Sequence, residues 1–185
     1  MAMFSLRGRR SHLAVVKEEP ARAPSLAERA LEHVDGLYGL ARHLCGNTSD
    51  AEDLVQDTYE RALAGAARFE EGSNLRAWLF RILRNCFIDQ ARRRKVVLEI
   101  PDDTIDTHIE PLGPAELEQL RFVTREEVTR AIAALPTEYR FVLYLDVEGF
   151  SEAETADILR CPPGTVKSRL FRAKSRLRTA LKEAP

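Results

Sequence analysis

The sequence predicts an all-α protein: two small helical bundles joined by an acidic flexible linker. Three observations carry this. No segment sustains the alternation of a half-buried strand, whereas apolar residues recur at three- and four-residue spacing in one stretch after another. Ser or Thr followed three residues later by Glu opens these stretches, at Ser25/Glu28, Ser49/Glu52, Thr124/Glu127 and Ser151/Glu154, the signature of a capping box. Between the two sets lies an acidic, proline-containing segment without a sustained period.

Taken in order, residues 1–24 read as a mobile leader in which Pro20 and Pro24 discourage regular structure. A first helix is expected from Ser25 to about Cys45, closed by Gly46-Asn47. A second runs from Ser49 to about Ala67. The polar link Glu70-Glu71-Gly72-Ser73 precedes a third over roughly Asn74 to Lys95. Residues 25–95 form the first domain, and 96–123, with Pro101, Pro111 and Pro114, the linker, with a short helical piece expected near Ala115–Leu120. The second domain, 124–185, opens with helices from Thr124 to near Leu135 and from Thr137 to Val147. After Gly149 come two short segments split by Cys161-Pro162-Pro163-Gly164, a helix-turn-helix pattern.

Net charge is −1, but its distribution is uneven. Residues 76–95 hold seven Lys or Arg against Asp89, residues 99–118 hold seven acids and no Lys or Arg, and residues 163–185 hold seven Lys or Arg against Glu183. Two basic blocks around an acidic one suggest two polyanion-binding modules on a spacer. No apolar run is long enough to span a membrane, and LAVV is too short for a signal-peptide core, so a cytoplasmic chain without membrane insertion is expected. Cys45, Cys86 and Cys161 lack CxxC spacing and read as reduced thiols. His12, His33, His43 and His108 are scattered and suggest no metal site; no cofactor is implied.

Three surfaces carry the chemistry. In the last helix, Thr165, Arg169, Arg172 and Arg176 share one side, while Val166, Leu170, Ala173, Leu177 and Leu181 share another. With Thr165, Lys167 and Ser168 in its first turn, it has the make-up of a recognition helix for the major groove. The second helix shows an acidic stripe, Asp53, Asp57 and Glu60, flanked by Asp50 and Gln56. Phosphate would be repelled there, so the stripe is either a solvated face or a contact for a basic protein surface. The third helix pairs an inner stripe of Leu75, Leu79, Ile82 and Cys86 with an outer one of Arg81, Arg84, Asn85, Ile88 and Arg92. Phe69, Ser73 and Asn74 precede it and Trp78 sits in its first turn. Cations with aromatics suit single-stranded nucleic acid, although Trp78, spaced with Leu75 and Leu79, reads first as a core residue.

The runs DAEDLVQDTYERAL (50–63), RFEEGSNLRAWLFRILRNCFIDQARRR (68–94) and the segment from Leu135 to Arg178 together resemble a bacterial sigma factor of the extracytoplasmic-function (ECF) group. The resemblance implies sigma domains two and four, no enzymatic activity, and promoter-specific initiation with core RNA polymerase. It implies that Asp53, Leu54, Gln56 and Asp57 grip the β′ coiled coil, with the β subunit also a partner. Phe69, Ser73, Asn74, Trp78, Arg81 and Asn85 would open the −10 element and hold a flipped base. Thr165, Lys167, Ser168, Arg169, Arg172 and Arg176 would read the −35 element of promoter DNA. An anti-sigma factor is the implied inhibitor. An ordinary repressor or activator would share the helix-turn-helix but would not need the acidic stripe or WLFRILRN. A sigma-mimicking decoy would be expected to lose the seven basic residues of the last helix.

Overall fold

The computed structural model describes residues 24–94 and 123–182. The leader, the linker with its expected helical piece at 115–120, and the last three residues lie outside the described residues. Eight α-helices are present among the described residues, and no strand. The first module holds α1 (Leu26–Leu31), α2 (Val34–Cys45), α3 (Thr48–Ala64), a 3₁₀ turn (Ala66–Arg68) and α4 (Leu75–Arg93). The second holds α5 (Arg125–Ala133), α6 (Thr137–Val147), α7 (Glu152–Leu159) and α8 (Pro163–Lys182).

Three of the four expected capping boxes form, at Ser25/Glu28, Thr124/Glu127 and Ser151/Glu154. In each, the hydroxyl accepts from the Glu backbone and the carboxylate accepts from the cap backbone. These hydrogen bonds lower the pKa of Glu28, Glu127 and Glu154. The fourth is corrected. Asn47 caps α3 by accepting from the Asp50 backbone at 2.8 Å, so Ser49 is already inside the helix. The single helix expected from Ser25 to Cys45 is also two, broken at Glu32-His33, where neither Gly nor Pro announces a stop.

In the first module α3 lies against α2 and α4 and buries Ala51, Leu54, Thr58 and Ala62. Thr58 satisfies its buried hydroxyl by donating to the Leu54 carbonyl at 2.7 Å. In the second module α8 packs across α5, α6 and α7 through Val166 and Ala173, with Leu170 and Leu177 partly buried beside them.

The two modules do not stand apart. One continuous core runs through both, with α4 against α7 and α2 against α6. Helix α4 therefore has two buried faces. Leu75, Leu79 and Cys86 are buried as expected; Ile82 is only half-buried, while Phe80 and Leu83 are fully enclosed. Phe80 meets Phe150 edge-on at 5.0 Å, and Phe87 meets Phe141 at 5.8 Å, each pair joining the modules.

Candidate nucleic-acid interface

Most of the residues expected at the −10 element converge at the start of α4. Asn74 caps the helix, accepting from the Ala77 backbone at 3.0 Å, which fixes the Ser73-Asn74 loop. A cavity of about 460 Å³ opens there, lined by Phe69, Ser73, Asn74, Trp78 and Arg81, and also by Arg68. Five of the six expected residues thus share one concavity; Asn85, a turn further along α4, is not in its lining. Phe69 is buried and tilts against half-buried Trp78 at 5.2 Å, with the Arg29 guanidinium 5.8 Å from its ring centroid. Glu70 and Ala77 also line it, together with two acids of the second module, Glu154 and Asp157, whose presence sequence spacing could not show.

On α3, Asp53 and Gln56 are exposed and Asp57 half-buried. Leu54 has no exposed surface, so in this conformation it supports the stripe from beneath and cannot belong to a contact surface. The stripe is partly answered within the module. Arg94 forks onto Asp50 at 2.7 and 2.8 Å, and these hydrogen bonds, with one from Asn47, hold the Asp50 carboxyl down at about 2. Gln90 donates to Asp57 at 2.9 Å, and Arg93 approaches it at 3.9 Å. A cleft of about 390 Å³ between the helices is lined by Asp53, Gln56, Asp57, Gln90, Arg93 and Arg94.

The expected recognition helix, α8, starts with Pro163 in its first turn, where a missing N–H costs nothing. Arg160 takes a left-handed φ of 51° in the turn before it. Lys167 is exposed in the first turn. Thr165 is half-buried, and Ser168 turns its hydroxyl back onto the Thr165 carbonyl at 3.0 Å. The expected outward arginine face is corrected at Arg169, whereas Arg176 is exposed as expected. Arg169 donates to Glu138 of α6 at 3.0 Å, with side chains 13% and 17% exposed. Arg176 lies over the Tyr139 ring at 5.2 Å. The reason is angular: at 100° per residue Arg169 sits only about 60° around the helix from buried Val166, so it flanks the apolar stripe. Arg172 is half-buried on the same flank. From α4, Arg84 is pushed into this region, where burial lowers its pKa against the opposing pull of Glu138.

Among the described residues no group of His, Cys, Asp or Glu could hold a metal ion, and no helix is long and apolar enough to cross a membrane.

Two helical modules, one with a polar cavity of mixed charge at a helix start and one with a helix-turn-helix, have the architecture of a sigma-type protein. Residues 30–96 match sigma-70 region 2 and residues 125–177 match sigma-70 region 4. The chain is 40% identical over 158 residues to the ECF RNA polymerase sigma factor EcfG of Rhodopseudomonas palustris (strain TIE-1), covering 85% of each. It is 36% identical over 168 residues to the ECF RNA polymerase sigma factor SigE of Mycolicibacterium smegmatis, covering 88% of this chain and 64% of that one. Among solved structures it is similar to the sigma factor RpoE of Bartonella quintana, crystallised with the anti-sigma factor NepR. The TM-score there is 0.65 at 34% identity, covering 85% of this chain and 96% of that one. The chain belongs to the ECF group of RNA polymerase sigma factors and directs promoter-specific transcription initiation.

Proposed function

We propose that the chain joins core RNA polymerase through Asp53, Gln56 and Asp57 on the β′ coiled coil, with domain four against the β subunit. It captures a flipped −10 base in the cavity between Phe69 and Arg81 and reads the −35 element from the first turns of α8. It needs no chemistry of its own, because melting is supported by binding: the few kcal/mol of unstacking are offset by contacts to the extruded base. Such a protein works beside the polymerase in the cytoplasm. An anti-sigma factor restrains it, a reading supported by the likeness to a sigma factor crystallised with one.

The observation that carries this reading is the cavity. Five residues of the WLFRILRN region and the preceding loop, Phe69 to Arg81, line one concavity at the N-terminal end of a helix whose cap is Asn74. Run-off transcription with core polymerase and a pool of promoter fragments tests it. Enrichment of one promoter class, dependent on the added chain, is expected. Tight binding to such DNA by the chain alone, with no redirection of the polymerase, would instead identify an ordinary regulator.

A further inference from the structure

Among the described residues Arg160 alone carries a side chain in the left-handed region, at φ 51° and ψ 49°. It ends α7: its N–H donates to the Ala156 carbonyl, and the Cys161 N–H donates to the same oxygen at 3.1 Å. A Cβ crowds the following carbonyl in this conformation, so such a turn favours glycine, or asparagine with its local hydrogen bonds. The chain meets the same need with glycine at the end of α2, where Gly46 has φ 76°, and after α6, where Gly149 has φ 80°. At Arg160 it accepts the strain.

Nothing within the fold calls for an arginine here. Its side chain is exposed and makes no hydrogen bond or ion pair among the described residues. Burial lowers the pKa of Arg84 on α4, and the charges of Arg160 and Arg169 lower it further, so Arg160 stands near like charge. A strained backbone that holds an exposed, unanswered charge points to a ligand outside the chain.

The surroundings say which ligand. Pro162, Pro163 and Gly164 continue the exposed surface into α8, where Lys167 is exposed in the first turn. A Cβ on Gly164 would meet nothing within 4 Å, so a bulky polymer has room to approach the turn closely. The first helix of a helix-turn-helix crosses the backbone of duplex DNA and the second enters the groove, so the turn between them passes close to phosphates. An arginine there meets an anion whatever the base sequence.

We propose that Arg160 is a further DNA contact of this chain: it grips a backbone phosphate at the edge of the −35 element, and the left-handed turn aims it there. This rests on the reading of α8 as the −35 helix. The contact sets the register of α8 on the duplex and reads no base itself.

Arg160→Asn and Arg160→Gly keep the turn and remove the charge. In holoenzyme assembled from core polymerase and the full chain, each should bind promoter duplex about three- to tenfold more weakly at low salt. That deficit should shrink about threefold between roughly 50 and 200 mM salt, the change expected for one phosphate contact fewer. The preference for cognate over base-substituted −35 duplexes should stay unchanged. Thermal midpoints should equal or exceed that of the wild type, because both residues relax the turn, so the lost affinity does not come from a lost fold. Arg160→Lys should recover most of the affinity. Unchanged affinity in the Asn and Gly variants overturns the proposal, as does a loss in Arg160→Lys equal to theirs. Lower midpoints with unaltered binding overturn it too, and assign the arginine to the C-terminal carbonyls of α7. If the wild-type holoenzyme prefers no −35 sequence at all, the reading of α8 fails instead, and the salt dependence still reports whether Arg160 meets phosphate.

Discussion

Arg169 of the recognition helix donates to Glu138 of α6 at 3.0 Å, and neither side chain is more than 17% exposed. A residue that sequence spacing places among the DNA readers is thus engaged with the core of its own module. Arg169→Ala is expected to strand the Glu138 carboxylate and cost about 1–3 kcal/mol of stability, read as a lower thermal midpoint. Lys167→Ala, at an exposed first-turn position, should leave that midpoint unchanged. It should lower affinity for promoter duplex and flatten the salt dependence by about one unit if it contacts phosphate. Equal midpoints for the two variants would show that the Arg169 pair contributes nothing to the fold.

The acidic stripe of α3 divides in the same way. Asp53 is exposed, so Asp53→Lys should abolish co-purification with core polymerase while changing stability by no more than about 0.5 kcal/mol. Asp57 accepts from Gln90 and faces Arg93, so Asp57→Lys should weaken both binding and the α3–α4 contact. Leu54→Ala should cost about 2–5 kcal/mol through a core cavity and reduce polymerase binding only through unfolding. Normal holoenzyme recovery with Asp53→Lys would make the stripe a solvated face.

Helical periodicity made the all-α class, most helix starts and the turn at Cys161-Pro162-Pro163 legible, because capping chemistry is local. The break at Glu32-His33 was not legible, since Leu31 and Val34 keep a helical apolar spacing although both end up exposed. Asn47 and Ser49 are competing caps two residues apart, and the backbone chose the first. The docking of the modules left its traces in Phe80 and Phe150, but a period shows that a face is buried without saying against what. The first module's share of the cavity at the start of α4 could be read from 69–81 because those residues are close in sequence; Glu154 and Asp157 could not, lying far along the chain.

Cys45 gives a pH prediction. Burial, and secondarily the Asp50 charge, push its thiol from the ordinary 9.0 up to about 11, and its Sγ donates to the Asp50 carbonyl at 3.6 Å. Because the folded value is raised, the contribution is fully present below pH 9 and is lost as pH rises through 11. Alkylation of Cys45 by iodoacetamide at pH 8 should therefore be much slower than in the urea-unfolded chain, and stability should decline between pH 9 and 11. Labelling as fast folded as unfolded would mean that the α2 end opens freely.

Asn74 has two duties that substitution can separate. Its side-chain oxygen caps α4, and its amide nitrogen donates to Glu154 across the seam. Asn74→Ala should remove both, costing about 0.5–2 kcal/mol of stability through the lost cap. Asn74→Asp keeps a competent cap and favours the helix N-terminus, but it sets a carboxylate against Glu154 and against any phosphate in the cavity. Its stability loss should be smaller than that of Asn74→Ala, while open-complex formation, followed by permanganate reactivity of the −10 region, should fall at least as far. If Asn74→Asp melts promoters as well as the unaltered chain does, the asparagine serves the helix alone and the base is captured elsewhere.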